Sequence, residues 1–181
     1  SLLCQKKSLS FHLDGARVFN AIVASKKSLK QLAKYFDTIS VCLSKGLGAP
    51  VGSLLLGTNQ DIKKAKRIRK VFGGGMRQAG YLASAGIYAL ENHVKRLEED
   101  HKRAKCLADL LKGVSFVEEV LTPQTNIVIF TVISDAKRWA SKLTSKGLVC
   151  LNIDDFKIRM VTHLDITDNC LQKAKEILKK F

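Results

Sequence analysis

The apolar positions of the chain change period several times. Residues 8–13 form a short apolar run that ends at Asp14-Gly15, as a strand entering a turn does. Residues 16–24 and 28–36 read as helices. In the second, Leu29, Leu32, Ala33 and Phe36 recur at three-and-four spacing, and Ser28 stands where an N-cap is wanted. Residues 38–43 are β-branched and apolar, the composition of a buried strand. A turn-rich stretch, 44–50, precedes another strand at 51–56. A basic helix over 60–71 is broken by Gly73-Gly74-Gly75. One long helical stretch follows over 78–111, strongly charged from His93 onward. Strands are then expected at 116–120, 126–132, 149–153 and 157–162, with helices at 136–146 and 168–180.

This order predicts an α/β protein in two parts that divide near residue 97. Residues 1–97 read as the end of a large parallel-sheet domain, too short to be a whole one. Residues 98–181 read as a small α/β domain of antiparallel strands with helices on one face. No internal repeat is present.

Composition narrows the classes. Among 181 residues, 46% are hydrophobic and 26% charged, which excludes disordered, collagen-like and low-complexity chains. No apolar run reaches the length of about 18 residues that a membrane helix needs. The start, Ser1-Leu2-Leu3-Cys4, lacks an initiator Met and a basic-then-apolar order. A signal peptide is not visible, and Ser1 is not expected to be the native start. The net charge of +15 points to anionic partners. Yet the lysines are scattered at helical spacing, and no segment interleaves aromatic with basic residues. Solvated helix faces are expected, with no nucleic-acid or membrane surface. The five cysteines are odd in number and none forms a CxxC pair; Cys42, Cys106 and Cys150 sit in apolar settings. Free, buried thiols in a reducing cytoplasm are expected, with no metal site.

Three segments carry chemistry, and all begin where an element ends. His12-Leu13-Asp14-Gly15-Ala16-Arg17 puts a carboxylate at the carboxyl end of a strand, the edge where open α/β sheets bind ligands. Asp14 could equally be the N-cap of the following helix. Ser44-Lys45-Gly46-Leu47-Gly48-Ala49-Pro50 puts a lysine at the end of an apolar strand. Partial desolvation there would favour the neutral amine that covalent chemistry needs, and a solvated loop lysine is the alternative. Gly73-Gly74-Gly75-Met76-Arg77-Gln78 is either an anion cradle with an arginine fork or a hinge. An Asp and a Lys at the ends of neighbouring buried strands suit pyridoxal phosphate. The lysine binds its aldehyde, and the carboxylate keeps its pyridine nitrogen protonated.

These segments, with residues 36–53, Pro-Gln-Thr-Asn-Ile-Val at 123–128 and Ile-Arg-Met-Val-Thr-His-Leu-Asp-Ile-Thr at 158–167, closely resemble low-specificity L-threonine aldolases. The resemblance covers essentially the whole chain. It implies a fold-type I pyridoxal 5'-phosphate enzyme, transferase-like in fold, of which this chain is the carboxyl-terminal part. It further implies a homotetramer with active sites at subunit interfaces. The reaction implied is the retro-aldol cleavage of L-threonine or L-allo-threonine to glycine and acetaldehyde. By motif, Lys45 is the Schiff-base lysine and Asp14 the partner of the pyridine nitrogen. Arg17 lies near the cofactor and substrate carboxylate, and Arg159 is the main carboxylate clamp. Arg77, with Lys70 less firmly, reaches the cofactor phosphate or the site across a subunit boundary.

Strand alternation puts Lys157, Arg159 and Val161 on one face and Ile158 and Met160 on the other. His12 and His163 read as structural, and His93 and His101 as solvated on a charged helix. Two alternatives remain: another fold-type I lyase or transferase for β-substituted amino acids, or an inactive remnant or basic nucleic-acid-binding module.

Overall fold

In the computed structural model, which describes residues 1–181, the chain forms two units, Ser1–Lys95 and Arg96–Phe181. The first begins with a short helix the pattern does not signal, α1 (Leu2–Lys6). Then come β1 (His12–Gly15), α2 (Val18–Ser25), α3 (Leu29–Ala33), β2 (Thr38–Cys42), β3 (Ser53–Leu56), α4 (Asn59–Val71) and α5 (Gly80–Asn92). The sheet order is β1-β2-β3. β1 and β2 are parallel, joined by the helical crossover that parallel pairing requires. β3 is antiparallel to β2, because the loop over 43–52 is shorter than the crossover of about a dozen residues that a parallel return needs. The sheet is therefore mixed, where a parallel one is expected from the sequence.

Register assigns the faces. His12 stands opposite Thr38, Asp14 opposite Ser40 and Gly15 opposite Val41. Leu13, Ile39 and Val41 thus turn one way, onto Val18, Ile22, Leu32 and Phe36. His12, Asp14, Thr38, Ser40 and Cys42 turn the other way. Helix α3 starts on a full capping box. The Ser28 hydroxyl accepts the Gln31 N–H at 3.1 Å, and the Gln31 side-chain oxygen accepts the Ser28 N–H at 2.9 Å.

The expected long helix over 78–111 is two helices, α5 and α6 (Leu97–Leu111), separated by a turn over residues 93–96. Neither Gly nor Pro marks the break. His93 closes α5, its N–H donating to the Ala89 carbonyl at 2.9 Å. Its side chain bonds a loop 46 residues away.

The second unit holds α6, β4 (Val117–Val120), β5 (Ile127–Val132), α7 (Ala136–Ser145), β6 (Leu151–Asn152), β7 (Lys157–Val161) and α8 (Asp168–Leu178). Its sheet, in the order β4-β5-β7-β6, is antiparallel throughout. Val128, Phe130, Val132, Ile158 and Met160 form the buried face beneath α6, α7 and α8. Phe116 stacks on Trp139 with ring centroids 4.0 Å apart. Asp100, fully buried on α6, is held by both terminal nitrogens of the Arg96 guanidinium, at 2.6 and 3.2 Å. The Thr162 hydroxyl donates to the Asp100 carbonyl at 2.7 Å.

Candidate active site

Asp14 is exposed near the end of β1. Its Oδ1 accepts the Ala16 N–H at 3.1 Å, a local turn that orients the carboxylate. It caps no helix: α2 starts at Val18, and Arg17, half-buried, occupies the cap position. Gly15 is what lets β1 lie against β2 here, since a Cβ on it would collide with the Ser40 carbonyl oxygen.

Lys45 follows the end of β2 by three residues, at the carboxyl edge of the same parallel pair. Its loop is closed on itself. The Leu43 N–H donates to the Gly52 carbonyl at 2.9 Å, Gly48 to Lys45 at 2.9 Å and Ala49 to Leu43 at 3.1 Å. Gly46, Leu47 and Ala49 are buried, whereas Lys45 is exposed and its amine makes no hydrogen bond or ion pair. Of the two readings open for this lysine, the structure gives the solvated one. The fold thus brings Asp14 and Lys45 to one edge of adjacent strands. His12 lies on the Asp14 face, exposed rather than buried, with its Nδ1 2.8 Å from the Thr38 hydroxyl.

The Gly-rich segment is first of all a helix stop. Gly73, at φ +78°, donates its N–H to the Lys70 carbonyl at 3.1 Å, and Gly74 donates to Arg69 at 2.8 Å. This double bond pattern ends α4 and leaves neither amide for an anion. Arg77 and Lys70 are exposed and unpaired.

In the second unit, Arg159 on β7 stands between Ile129 of β5 and Leu151 of β6, half-buried on the face away from the core. Lys157 and Val161 share that face and Ile158 and Met160 the other, as the alternation requires. The Arg159 Nε is buried without a partner. Arg159 and His163 line a groove of about 860 Å³ with Leu148, Leu151, Ile166 and Leu171. His163 is half-exposed beside Asp165, its Nδ1 3.4 Å from the carboxylate.

Two histidines depart from expectation. His101 is buried, and burial holds its imidazole below the ordinary range against the opposing pull of Asp100. His93 is half-buried and bonded. Of the cysteines, Cys106 is exposed, while Cys150 is buried and burial raises its thiol pKa.

Among solved structures, the chain is similar to a putative L-allo-threonine aldolase from Listeria monocytogenes EGD-E, with a TM-score of 0.80 and 22% identity over 99% of this chain and 54% of that one. A threonine aldolase from Leishmania major gives 0.76 and 20%, over 98% and 53%. A histidinol-phosphate aminotransferase from Clostridium acetobutylicum gives 0.68 and 17%, over 99% and 56%. At these identities the likeness defines the fold, which is the fold-type I α/β architecture. In sequence, the beta-eliminating lyase family matches residues 1–135, and the chain belongs to that family. A low specificity L-threonine aldolase of Escherichia coli (strain K12) is 44% identical over 163 residues, covering 90% of this chain and 48% of the relative. A probable low-specificity L-threonine aldolase 2 of Arabidopsis thaliana is 41% identical over 171 residues, covering 92% and 48%. The chain spans about half the length of the curated relatives it matches.

Proposed function

We propose that this chain is part of a pyridoxal-phosphate-dependent aldolase that cleaves L-threonine and L-allo-threonine to glycine and acetaldehyde. The observation that carries the reading is the placement of Asp14 and Lys45 at one edge of adjacent parallel strands, each with a reactive atom free. The donor set fits the cofactor. Asp14 has Oδ1 tied to a backbone amide and Oδ2 unengaged, as a counter-ion for a protonated ring nitrogen requires. Lys45 has an unpaired amine for the aldehyde. When bound, pyridoxal phosphate supplies an electron sink for the bond that breaks. Asp14 would hold the proton on the ring nitrogen. Lys45 would anchor the cofactor and give way to the substrate amine.

Arg159, whose buried Nε lacks a partner, would clamp the substrate carboxylate, assisted by Arg17. A planar fork orients the Cα–Cβ bond as well as binding the acid. Arg77, exposed and unpaired, would serve the cofactor phosphate or a neighbouring site across a subunit boundary. Residues 1–97 would then belong to the large cofactor-binding domain and residues 98–181 to the small one. The assembly would be a cytoplasmic homotetramer yielding glycine for amino-acid metabolism.

The test uses the protein extended to the length of its relatives. Wild type should release acetaldehyde from threonine, and borohydride should trap the cofactor on Lys45. Lys45→Ala should abolish both. Asp14→Asn should keep the trapping and lose most turnover. Arg159→Lys should raise KM and lower kcat together. Trapping on Lys45 without acetaldehyde release would move the assignment to another lyase or transferase acting on β-substituted amino acids.

A further inference from the structure

We propose that His93 is a positioning residue for Lys45, acting through the Leu47 carbonyl; the role assigned to Lys45 rests on the function proposed above. The loop-internal bonds over residues 43–52 fix the shape of the Lys45 turn. The Leu43–Gly52 bond seats the two ends of the turn on the sheet, one position beyond the β2–β3 pairing. The seat of the part between them comes from α5. The His93 Nδ1 lies 2.5 Å from the Leu47 carbonyl oxygen. A carbonyl can only accept, so Nδ1 carries the proton. Leu47 is 3% exposed, so no bulk water stands ready to replace this donor.

His93 is itself seated. Its backbone N–H closes the last turn of α5 on Ala89, and its ring packs edge-on to Tyr88, centroids 5.4 Å apart. The same helix touches the loop a second time two turns earlier. At Gly86 a Cβ would come within 3.0 Å of Leu43 Cδ1, so α5 and the root of the loop lie in close contact there. Gly86 and His93 thus grip the loop on either side of Lys45 in sequence, at Leu43 and Leu47. The lysine stem is long and unpaired, and its four-carbon chain costs rotamer entropy to hold. What the protein can hold is the backbone it springs from, and His93 is the polar contact that does so.

The first test is amide exchange in this 181-residue chain. His93→Phe keeps a ring against Tyr88 and removes the donor. In His93→Asn the amide nitrogen can stand where Nδ1 stands. In His93→Phe the Gly48 and Ala49 amides should exchange about tenfold faster, and in His93→Asn close to the wild-type rate, with β2 unaffected in both. Unchanged exchange in His93→Phe overturns the proposal, whatever Lys45 does.

The second test measures how fast borohydride traps pyridoxal phosphate on Lys45 in wild type and the same two variants of the protein extended to the length of its relatives. The rate should fall about tenfold in His93→Phe and recover in His93→Asn. A loosened loop with an unchanged trapping rate overturns the positioning role. No trapping on Lys45 in wild type removes the function assigned to the lysine, and the positioning role with it, although the exchange result would still establish the hydrogen bond. A third measurement needs no variant. The ¹⁵N shifts of the wild-type imidazole should show a protonated Nδ1, and a neutral ring protonated only at Nε2 overturns the contact.

Discussion

Phe116, Phe130, Leu143 and Ile158 in the second unit are at most 1% exposed, packed between one antiparallel sheet and three helices. In the first unit Val18, Ile39 and Val41 form a smaller cluster beside the sheet, and Leu43, Leu47, Ala49 and Ala89 are buried elsewhere in it. Its edge strand β3 leaves Leu54, Leu55 and Leu56 at 42, 43 and 39% exposure. Apolar surface of this kind is unfavourable to leave in water. Asp14 and Lys45 stand on the weakly enclosed unit, and Arg159 on the well-packed one. Structural strength and the candidate covalent chemistry therefore reside in different parts of the chain.

The largest expected effect separates the units outright. Residues 96–181 expressed alone should unfold in one cooperative step in urea, while residues 1–95 alone should show none. A sharp transition from residues 1–95 would break the contrast. Next, in the 181-residue chain, Phe130→Ala should cost about 3–5 kcal/mol in the unfolding of the second unit. Leu55→Ala, already partly in water, should cost about 1 kcal/mol or less. Comparable costs at the two sites would mean that the β3 face is covered in the protein as it exists. Ser28→Ala should cost about 1 kcal/mol through the lost capping box, read as faster exchange of the α3 amides. No change would assign α3 to packing alone.

The smallest effect concerns His101. Its folded pKa is lowered, first by burial, with Asp100 opposing and Lys105 assisting. The unfolded chain takes up this proton near the ordinary value of about 6.5, the folded chain only at lower pH. The His101 contribution is thus complete above about pH 6.5 and is lost as the pH falls from there toward the folded pKa. Urea midpoints between about pH 7.5 and 5.5 should show this slope, and His101→Asn should flatten it.

Much of the second unit was legible in advance because its signals are local. The alternation over 157–161 assigns Arg159 and Ile158 to opposite faces, and they lie there. His101 reads as solvated because its neighbours are charged, yet it is buried beside Asp100. Position was the better guide. Leu97, Asp100, His101, Ala104, Leu107, Ala108 and Leu111 form one continuous three-and-four stripe, and all are buried. The break at 93–96 carried no such mark. The contact made there, between His93 and the Leu47 carbonyl, is distant in sequence, and a single histidine does not announce its acceptor. The antiparallel return of β3 was readable from loop length, but the apolar run alone is blind to direction. Asp14 looked like a helix cap because the residues after it suit a helix; the helix instead begins at Val18, beyond a turn that the Asp14 carboxylate itself stabilises.

The strand order β4-β5-β7-β6 also sets a timetable for the chain as it is made. β5 has its main neighbour in β7, which follows α7 and β6 in sequence. As the polypeptide emerges from its amino end, Phe130 and Val128 are translated well before Ile158 and Met160 exist to cover them. The Thr162 hydroxyl that fastens the start of α6, at the Asp100 carbonyl, arrives later still. Until then α6 and α7 can pair with β4 and β5 only as an open layer. Closure of this unit is therefore a late, long-range event during synthesis, and a ribosome stalled before residue 157 would carry a chain whose strongest core is still unsealed.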